Sequence, residues 1–357
     1  MTLVVTLEPV TDIAALEQRW RALETHCVAS FFLGWTWMGS WLSACVEGTA
    51  PLPDLLAVQR GGEDVALALV GHSVERRTFG RARTWWLNQA GHGDADRPFI
   101  EYNGLLVRAQ DANEAARAAW DAIMTRRDWS ALMLSGMAPD DALLTAAPAV
   151  RRRTLRDSSP AYFMDLHAVR AAKGDALSLL SSNTRSQIKR SIKDQPGDIV
   201  IDRAQDDATV TDWLAEMKQM NSGRHADNAW DLPIFQRFAA HITRAGMAGG
   251  SVELLRLCCS NAALGYLLNF VHNGCAMNYQ SAFAEPLTPR SKPGLMCHMA
   301  AASRYADAGL ERYSLLAGKD RYKQSLSTGA EELHWLRLER FTPALEAEAC
   351  VRRILRR

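Results

Sequence analysis

The chain has 357 residues, of which 48% are hydrophobic, and its formal net charge at pH 7 is +1. This length exceeds what one ordinary hydrophobic core supports, so the sequence predicts two domains. The small net charge excludes a protein that binds nucleic acid or a membrane through its overall charge, and any such contact must be local. The N-terminal residues lack a basic stretch followed by an apolar core, and no apolar run approaches the roughly 20 residues that span a bilayer. We therefore expect a cytoplasmic protein without a membrane span.

The first half of the chain alternates predicted strands and helices. Residues 2–8 alternate as a strand, and residues 11–25 have the spacing of an amphipathic helix capped by Thr11 or Asp12. The Trp-rich stretch 31–46 predicts a helix whose rings pack in a core, in preference to a platform on which bases stack. The patterns that follow predict a hairpin at 55–60 and 65–74, strands at 84–88 and 104–107, a helix at 112–126 and a strand at 131–135.

A change of composition between residues 139 and 160 marks the predicted domain boundary. Three prolines bracket the basic run Arg151–Arg156, and we place the boundary near residue 155. The arginine run is typical of a solvated linker, with a phosphate or RNA contact as the alternative.

The second half opens with a strand at 162–166 and a basic helix. Asn183 is the predicted N-cap, and Arg185, Lys189 and Lys193 are spaced four residues apart, which places them in one stripe. A solvated helix face is the default interpretation of such a stripe, but its lack of acidic partners favours an anionic ligand as the alternative. The later patterns predict a strand at 199–203, helices at 208–220 and 232–245, strands at 252–258, 265–271 and 276–283, a helix at 293–308, strands at 313–316 and 332–341, and a helix at 343–357.

The segment Pro289–Lys323 carries the strongest functional signal. It follows three strand patterns and opens with a basic turn that contains Gly294 and leads into an alanine-rich helix. A strand, a turn with free backbone N–H groups and a helix N-terminus together hold a phosphate without a metal. This arrangement predicts a phosphorylated donor, for which coenzyme A is the best candidate.

The order of elements in the second half resembles the fold of GNAT acyltransferases. In detail, residues 155–325 resemble the FemAB-like acetyltransferase domain of the CelD and BioF2 type. The resemblance lies in the basic helix from Ser181 to Arg185, the His225 loop, the strands at 252–283, Pro293-Gly294, and the closing Gly-x-x-x-Tyr-Lys at 318–323. Residues 31–41 are similar to the opening motif of the same family.

The resemblance implies an α/β (α+β) fold with GNAT-type mixed sheets flanked by helices. It implies a degenerate GNAT-like domain at 1–155 and a GNAT acyltransferase domain at 156–357. The implied activity is N- or O-acyl transfer from an acyl-CoA to an amine or hydroxyl of a small molecule or sugar. Two alternatives stay open: transfer from an aminoacyl-tRNA, as in many FemABX relatives, and a non-catalytic GNAT-fold protein of envelope or polysaccharide assembly. The second alternative rests on Leu295–Met296, which replace the second small residue of the usual pyrophosphate turn.

Such a site needs a base for the acceptor, a donor to the leaving group and cations for phosphate. His225, in a polar loop between two helices, is our first candidate for the base; an exposed histidine without a role is the alternative. Tyr279 can face the cleft or pack in the sheet. The predicted catalytic residues are His225, Tyr279, Asp320 and Tyr322; the predicted donor-binding residues are Arg290, Lys292, Gly294, Leu295 and Lys323; the predicted acceptor-binding residues are Arg185, Lys189, Arg224 and Gln280.

Neither cysteines nor histidines indicate metal or redox chemistry. The seven cysteines form no CxxC pair and lie mostly in apolar patterns, which is typical of buried, reduced thiols. Cys297 is the exception to examine, because a helix N-terminus lowers a thiol pKa. The histidines show no metal-ligand spacing, so we expect no resident metal or cofactor.

Overall fold

A computed structural model describes residues 2–224, 227–260 and 262–355 of the chain. The residues group into two compact units. The first contains the chain up to Ser158 together with Leu333–Arg357, and the second contains Ser159–Glu332. No helix of the described residues is long and apolar enough to cross a membrane.

The first unit is built on a mixed sheet with helices. Its elements are β1 (Leu3–Pro9), α1 (Ile13–Glu24), α2 (Trp35–Glu47), β2 (Asp54–Arg60), β3 (Glu63–Arg77), β4 (Gly80–Leu87), β5 (Leu106–Val107), α3 (Ala112–Thr125), β6 (Ala131–Met137), α4 (Ala142–Thr145), the beginning of β7 (Arg152–Asp165), the end of β13 (Gly329–Glu339) and α11 (Pro343–Leu355). The strands follow the order β1-β2-β3-β4-β6-β13, and β5 pairs with β3. Only β4 and β6 run parallel among these neighbours.

Local sequence signals explain the first elements. The Asp12 carboxylate accepts hydrogen bonds from the backbone N–H groups of Ala14 and Ala15, which fixes the start of α1. The Trp-rich stretch forms a short 3-10 turn and then α2, and Trp37 is 1% exposed. The indole N–H of Trp20 donates to the Leu33 carbonyl at 2.8 Å. The prediction of core packing for these rings is confirmed.

The end of the chain departs from the expected domain division. We expected residues 156–357 to form one domain, but those from Leu333 onward group with the first unit. The reason is strand pairing, because His334–Glu339 of β13 pair with Ala131–Met137 of β6. The arginine run is also not a linker: Arg152 lies in β7, and its guanidinium donates to Glu339 at 2.6 Å.

The second unit has its own mixed sheet. Its elements are the end of β7, α5 (Leu166–Ala171), α6 (Ser182–Lys193), β8 (Ile199–Arg203), α7 (Asp207–Asn221), α8 (Pro233–Met247), β9 (Val252–Cys259), β10 (Ala262–His272), β11 (Cys275–Phe283), α9 (Pro293–Asp307), β12 (Arg312–Ala317), α10 (Arg321–Leu326) and the beginning of β13. The strand order is β7-β12-β11-β10-β9-β8. All of these neighbours are antiparallel except β11 and β12.

Turn chemistry and capping set the register of the second unit. Asn273 and Gly274 both have positive φ, which is the backbone of a two-residue hairpin between β10 and β11, as the Asn-Gly pair predicts. Helix α6 is capped by the Ser181 hydroxyl, which accepts from the Thr184 N–H, so Asn183 is not the cap as we expected. Helix α9 packs its apolar side on the sheet through Met296, Ala301 and Tyr305.

Candidate functional site

The central feature of the second unit is a pair of parallel strands that part. Strands β11 and β12 pair only over Cys275–Met277 and Arg312–Ser314, and the described residues beyond them pair no further. The rest of β11 pairs only with β10, for example Gln280 with Leu268. Where parallel strands part, backbone N–H and C=O groups face a cleft and can hydrogen-bond an extended ligand.

The first turn of α9 lies at the end of β11. Among the described residues, the backbone N–H groups of Gly294 and Leu295 have no hydrogen-bond partner, and no side chain caps the helix. A Cβ on Gly294 would lie 3.0 Å from the Phe283 ring, so glycine lets the helix approach the strand. Free N–H groups at a helix N-terminus attract anions.

The basic helix and this turn meet in the structure. The backbone N–H of Lys292 donates to the Ser191 hydroxyl at 2.9 Å, and Thr288 contacts Asp194 at 3.5 Å. This contact ties the turn to the last part of α6. The two predicted groups of cations, those on α6 and those at the turn, therefore belong to neighbouring elements.

A cluster of aromatic and basic side chains joins α9, β12 and α10. The imidazole of His298 stacks on the Tyr322 ring, with centroids 5.7 Å apart and an interplanar angle of 16°. Its Nδ1 lies 2.9 Å from the Tyr313 hydroxyl, and the Phe283 ring packs edge-on at 5.6 Å. The Lys323 ammonium donates to the Ala317 carbonyl at 2.6 Å.

Burial fixes the protonation of this cluster. It lowers the pKa of His298 to about 3, with the positive charge of Lys323 adding to the effect, so the imidazole is neutral. Its Nε2 is buried and has no hydrogen-bond partner among the described residues. Tyr322 is 38% exposed as a residue, but desolvation of its phenol raises the pKa to about 12, and the carboxylate of Asp320 contributes. The phenol thus keeps its proton and can donate a hydrogen bond.

The backbone between β12 and Lys323 has an uncommon conformation. Leu316 has a φ of 59°, which is strained for a branched side chain, and the pairing of β12 with β7 shifts register between Ser314 and Ala317. A Cβ on Gly318 would lie 2.8 Å from the Lys323 ammonium nitrogen. Glycine at 318 therefore leaves room for the Lys323 side chain to reach the Ala317 carbonyl at the end of β12.

A chain of buried hydrogen bonds connects β11 to β10, α9 and β9. The Tyr305 hydroxyl donates to Glu253 at 2.8 Å and accepts from Asn269 at 3.0 Å. Asn278 of β11 donates to the Asn269 side-chain oxygen at 2.8 Å, and the Ser281 hydroxyl donates to Asn278. Burial alone would raise the pKa of Glu253, but hydrogen bonds from Arg304 and Tyr305 outweigh it and lower the pKa. The network holds the cleft-bordering end of β11 in one position.

Comparison with known proteins identifies the fold. Residues 182–324 match the family model described as the acetyltransferase (GNAT) domain. Over 94% of this chain and 97% of the other, the structure is similar to that of FemX, with a TM-score of 0.57 and 12% identity. The fold is that of the GNAT superfamily, in its FemAB-like form.

Two further structures share the GNAT-like fold across most of the chain. One is the C-terminal DUF2156 domain of an Agrobacterium fabrum protein, with a TM-score of 0.56, 12% identity, and 95% of each chain covered. The other is L-PGS from Bacillus licheniformis, with a TM-score of 0.51 and 9% identity, covering 89% of this chain and 97% of that one. At these identities the likeness concerns the fold alone. No curated protein matched the sequence.

Several predicted residues lie on α9, on α10, on α6 and at the turn before α9. Gly294 and Leu295 lie in the first turn of α9, and Tyr322 and Lys323 lie in α10 beside His298. Asp320 is exposed at the N-cap of α10, where its side chain caps nothing. Arg290 and Lys292 are exposed at the turn, Lys189 is exposed on α6, and Arg185 on the same helix is half-buried.

Other predicted residues lie apart from the His298 cluster. The half-buried ring of Tyr279 packs against Phe235 and Phe238 of α8 and, at 4.9 Å, against Phe270 of β10. Neighbouring Gln280 is half-buried on β11. Arg224 forms an ion pair with Glu285 at 2.6 Å. His225, the predicted base, lies outside the described residues.

Two residues of the cluster carry little signal in the sequence. His298 and Tyr313 meet only because α9 packs on β12. The one local signal is that His298 follows Gly294 by four residues, about one helical turn. Cys297 beside it is fully buried and its pKa is raised by burial, so it is a packing residue. The described residues include no group of three or more metal-ligating side chains.

Proposed function

We propose that the protein transfers an acyl group from an acyl-CoA to an amine or hydroxyl of a small molecule or sugar. The observation that carries the proposal is the parting of β11 and β12 next to the two free N–H groups of α9. The match of residues 182–324 to the GNAT domain supports the same reading. The parted strands offer backbone partners to the amide-containing arm of the donor, and the helix N-terminus offers partners to its pyrophosphate.

The unusual pyrophosphate turn is compatible with this donor. Met296 is 1% exposed and packs in the core, and half-buried Leu295 packs against the same core. The side chains of Leu295 and Met296 therefore pack against the hydrophobic core on the inner side of α9. Arg290 and Lys292 are exposed at the turn and add positive charge for a phosphate.

The chemistry assigned to the site follows from protonation states. The acceptor nitrogen or oxygen attacks the thioester carbonyl, the C–S bond breaks, and the acceptor proton goes to a base, for which His225 is our candidate. A backbone N–H at the cleft polarises the carbonyl. Because an ordinary thiol has a pKa of about 8.5, below that of Tyr322, the phenol stabilises the thiolate by donating a hydrogen bond rather than by losing its proton.

His298 and Lys323 act as positioning residues in this scheme. The neutral imidazole stacks on the Tyr322 ring and so fixes the direction of the phenol. Lys323 is anchored to the Ala317 carbonyl at the mouth of the parted strands, where its charge favours an anionic donor or acceptor. The cations of α6, Arg185 and Lys189, are proposed to contact the anionic part of a substrate.

The second candidate is transfer from an aminoacyl-tRNA. The whole-chain similarity to FemX favours it, and an aminoacyl ester presents the same carbonyl to the same cleft. The leaving group is then an alkoxide instead of a thiolate. Binding of tRNA would use local cations such as those of α6, and it would weaken steeply with salt.

One set of assays separates the candidates. The purified protein is incubated with acetyl-, succinyl- and longer acyl-CoA, with and without amine or sugar acceptors, and free thiol is measured. In parallel, binding of aminoacyl-tRNA is measured at increasing salt. Acceptor-dependent thiol release supports the proposal. Transfer from aminoacyl-tRNA without thiol release would replace it by the second candidate, and no turnover of either donor would favour a non-catalytic GNAT-fold protein.

Tyr322→Phe provides the mechanistic arm of this test. We expect kcat to fall by about 10- to 100-fold with little change in donor affinity, because the lost hydrogen bond forms with the departing thiolate. Tyr162→Phe is the control, since Tyr162 is a half-buried tyrosine of the same unit that has, among the described residues, no ring contact or hydrogen bond to His298, Tyr313 or Lys323. Equal kcat values for Tyr322→Phe and wild type would remove Tyr322 from the mechanism.

A further inference from the structure

The first unit contains a cavity of about 540 Å³ that the acyl-transfer proposal does not use. It lies between helix α11 and one face of strands β3, β7 and β13. Its lining comprises Arg77, Arg152, Thr154, Arg156, Arg337, Glu339, Leu345, Ala349, Arg352 and Arg353. Six of these ten residues are arginines.

The period of two along the strands concentrates this charge. Arg152, Thr154 and Arg156 alternate along β7, and Arg337 and Glu339 alternate along β13, so each set points to one face of its strand. Helix α11 brings Arg352 and Arg353 over the same face. The sequence run Arg151–Arg156 is thus one wall of a cavity.

Four glutamates neutralise part of the arginine charge. Glu75, Glu339, Glu346 and Glu348 form ion pairs with arginines of the wall. Burial alone would raise the pKa of Glu339, but the hydrogen bonds from Arg337 and Arg152 outweigh it and lower the pKa. With these carboxylates charged, six arginines face four negative charges, and the cavity retains an excess of positive charge.

Three arginines of the cavity have guanidinium N–H groups that can bind a ligand. The Arg337 side chain is only 7% exposed; its Nη1 and Nε bind Glu75 and Glu339, but its buried Nη2 has no partner among the described residues. Arg156 and Arg353 have no ion pair or hydrogen bond to any part of the chain that the structure describes. A buried guanidinium N–H without an acceptor is costly, and an anion in the cavity would satisfy it.

We propose that this cavity binds a small molecule that carries two linked phosphate groups. Guanidinium groups match phosphate oxygens in a bidentate geometry, and two excess charges complement a diphosphate. The volume exceeds that of an inorganic ion and falls in the range of small-molecule sites. Leu345 and Ala349 of α11 give the cavity an apolar side, which suits an organic group attached to the diphosphate.

The test measures binding of inorganic pyrophosphate and of adenosine diphosphate by calorimetry. Wild-type protein should bind pyrophosphate at one site in the first unit, more tightly than orthophosphate or sulfate. Arg156→Ala/Arg353→Ala removes two arginines whose side chains have no described hydrogen bond or ion pair to lose, and we expect affinity to fall by about tenfold or more. The control Arg117→Ala/Arg127→Ala removes two exposed arginines of the same unit outside the cavity and should bind as wild type does.

Two further arms locate the site and its ligand. Arg290→Ala/Lys292→Ala, at the α9 turn, should leave the pyrophosphate affinity of the cavity unchanged, independently of any change in coenzyme A affinity. Tighter binding of adenosine diphosphate than of pyrophosphate would show that the organic group contacts the cavity. The proposal is overturned if Arg156→Ala/Arg353→Ala binds pyrophosphate like wild type, or if orthophosphate, sulfate and pyrophosphate bind equally.

Discussion

Replacing His298 with phenylalanine should remove a pH-dependent loss of stability from the second unit. Burial lowers the pKa of this imidazole to about 3, whereas an unfolded chain has a histidine pKa of about 6.5. As the pH falls below that unfolded value, the unfolded chain gains a proton that the folded protein does not, so the folded state loses stability.

The size of this effect follows from the two pKa values. Between pH 7 and pH 5 the wild-type protein should lose about 2 kcal/mol of unfolding free energy through His298 alone. This loss of about 2 kcal/mol is the same for any folded-state pKa below about 4, because the His298 imidazole of the folded protein is then unprotonated at pH 5. His298→Phe has no proton to gain, although it loses the hydrogen bond to Tyr313 at every pH.

The assay is urea unfolding of both proteins at pH 7 and pH 5, followed by circular dichroism. The difference between wild type and variant should shrink by about 2 kcal/mol on going to pH 5. His26→Gln, which removes an exposed imidazole, is the control for the loss of one histidine. If wild type and His298→Phe lose stability in parallel, to within roughly 0.5 kcal/mol, the imidazole is not buried in its neutral form.

Two further substitutions test the support of the cleft. Tyr305→Phe removes the hydroxyl between Glu253 and Asn269 and leaves the buried Asn269 amide without that partner. We expect the unfolding free energy to fall by about 1–3 kcal/mol. A change within the error of the urea midpoint would mean that the network does not stabilise the fold. Gly265→Ala places a Cβ 2.6 Å from the Ala282 carbonyl oxygen, so we expect a loss of about 1–3 kcal/mol together with weaker coenzyme A binding. Gly249→Ala, where a Cβ meets nothing within 4 Å, is its control, and equal behaviour of the two variants would contradict the close packing of β10 on β11.

The elements of the second unit were largely predictable from local patterns. The Asn273-Gly274 pair specifies a tight hairpin, and the structure has it. Pro293 fits the first position of a helix, and α9 begins there. Both features depend on residues that are neighbours in sequence, and local backbone preferences are enough to determine them.

The features that the sequence does not predict are those that depend on contacts between distant segments of the chain. The last strand pairs with β6, about 200 residues earlier in the chain, and no local pattern states that partner. For the same reason Arg151–Arg156 reads as a linker, since its contacts lie with residues 339 and 346. His298 needs both the burial of α9 and the hydroxyl of β12 to become a neutral, oriented ring.

A crystal structure of the protein with coenzyme A tests the central claim most directly. We expect the arm of coenzyme A between β11 and β12, and its pyrophosphate oxygens about 3 Å from the backbone nitrogens of Gly294 and Leu295. The sulfur should lie within reach of the Tyr322 hydroxyl. Coenzyme A bound elsewhere on the chain, or an empty cleft at saturating coenzyme A, would contradict the assignment of this site to an acyl-CoA donor.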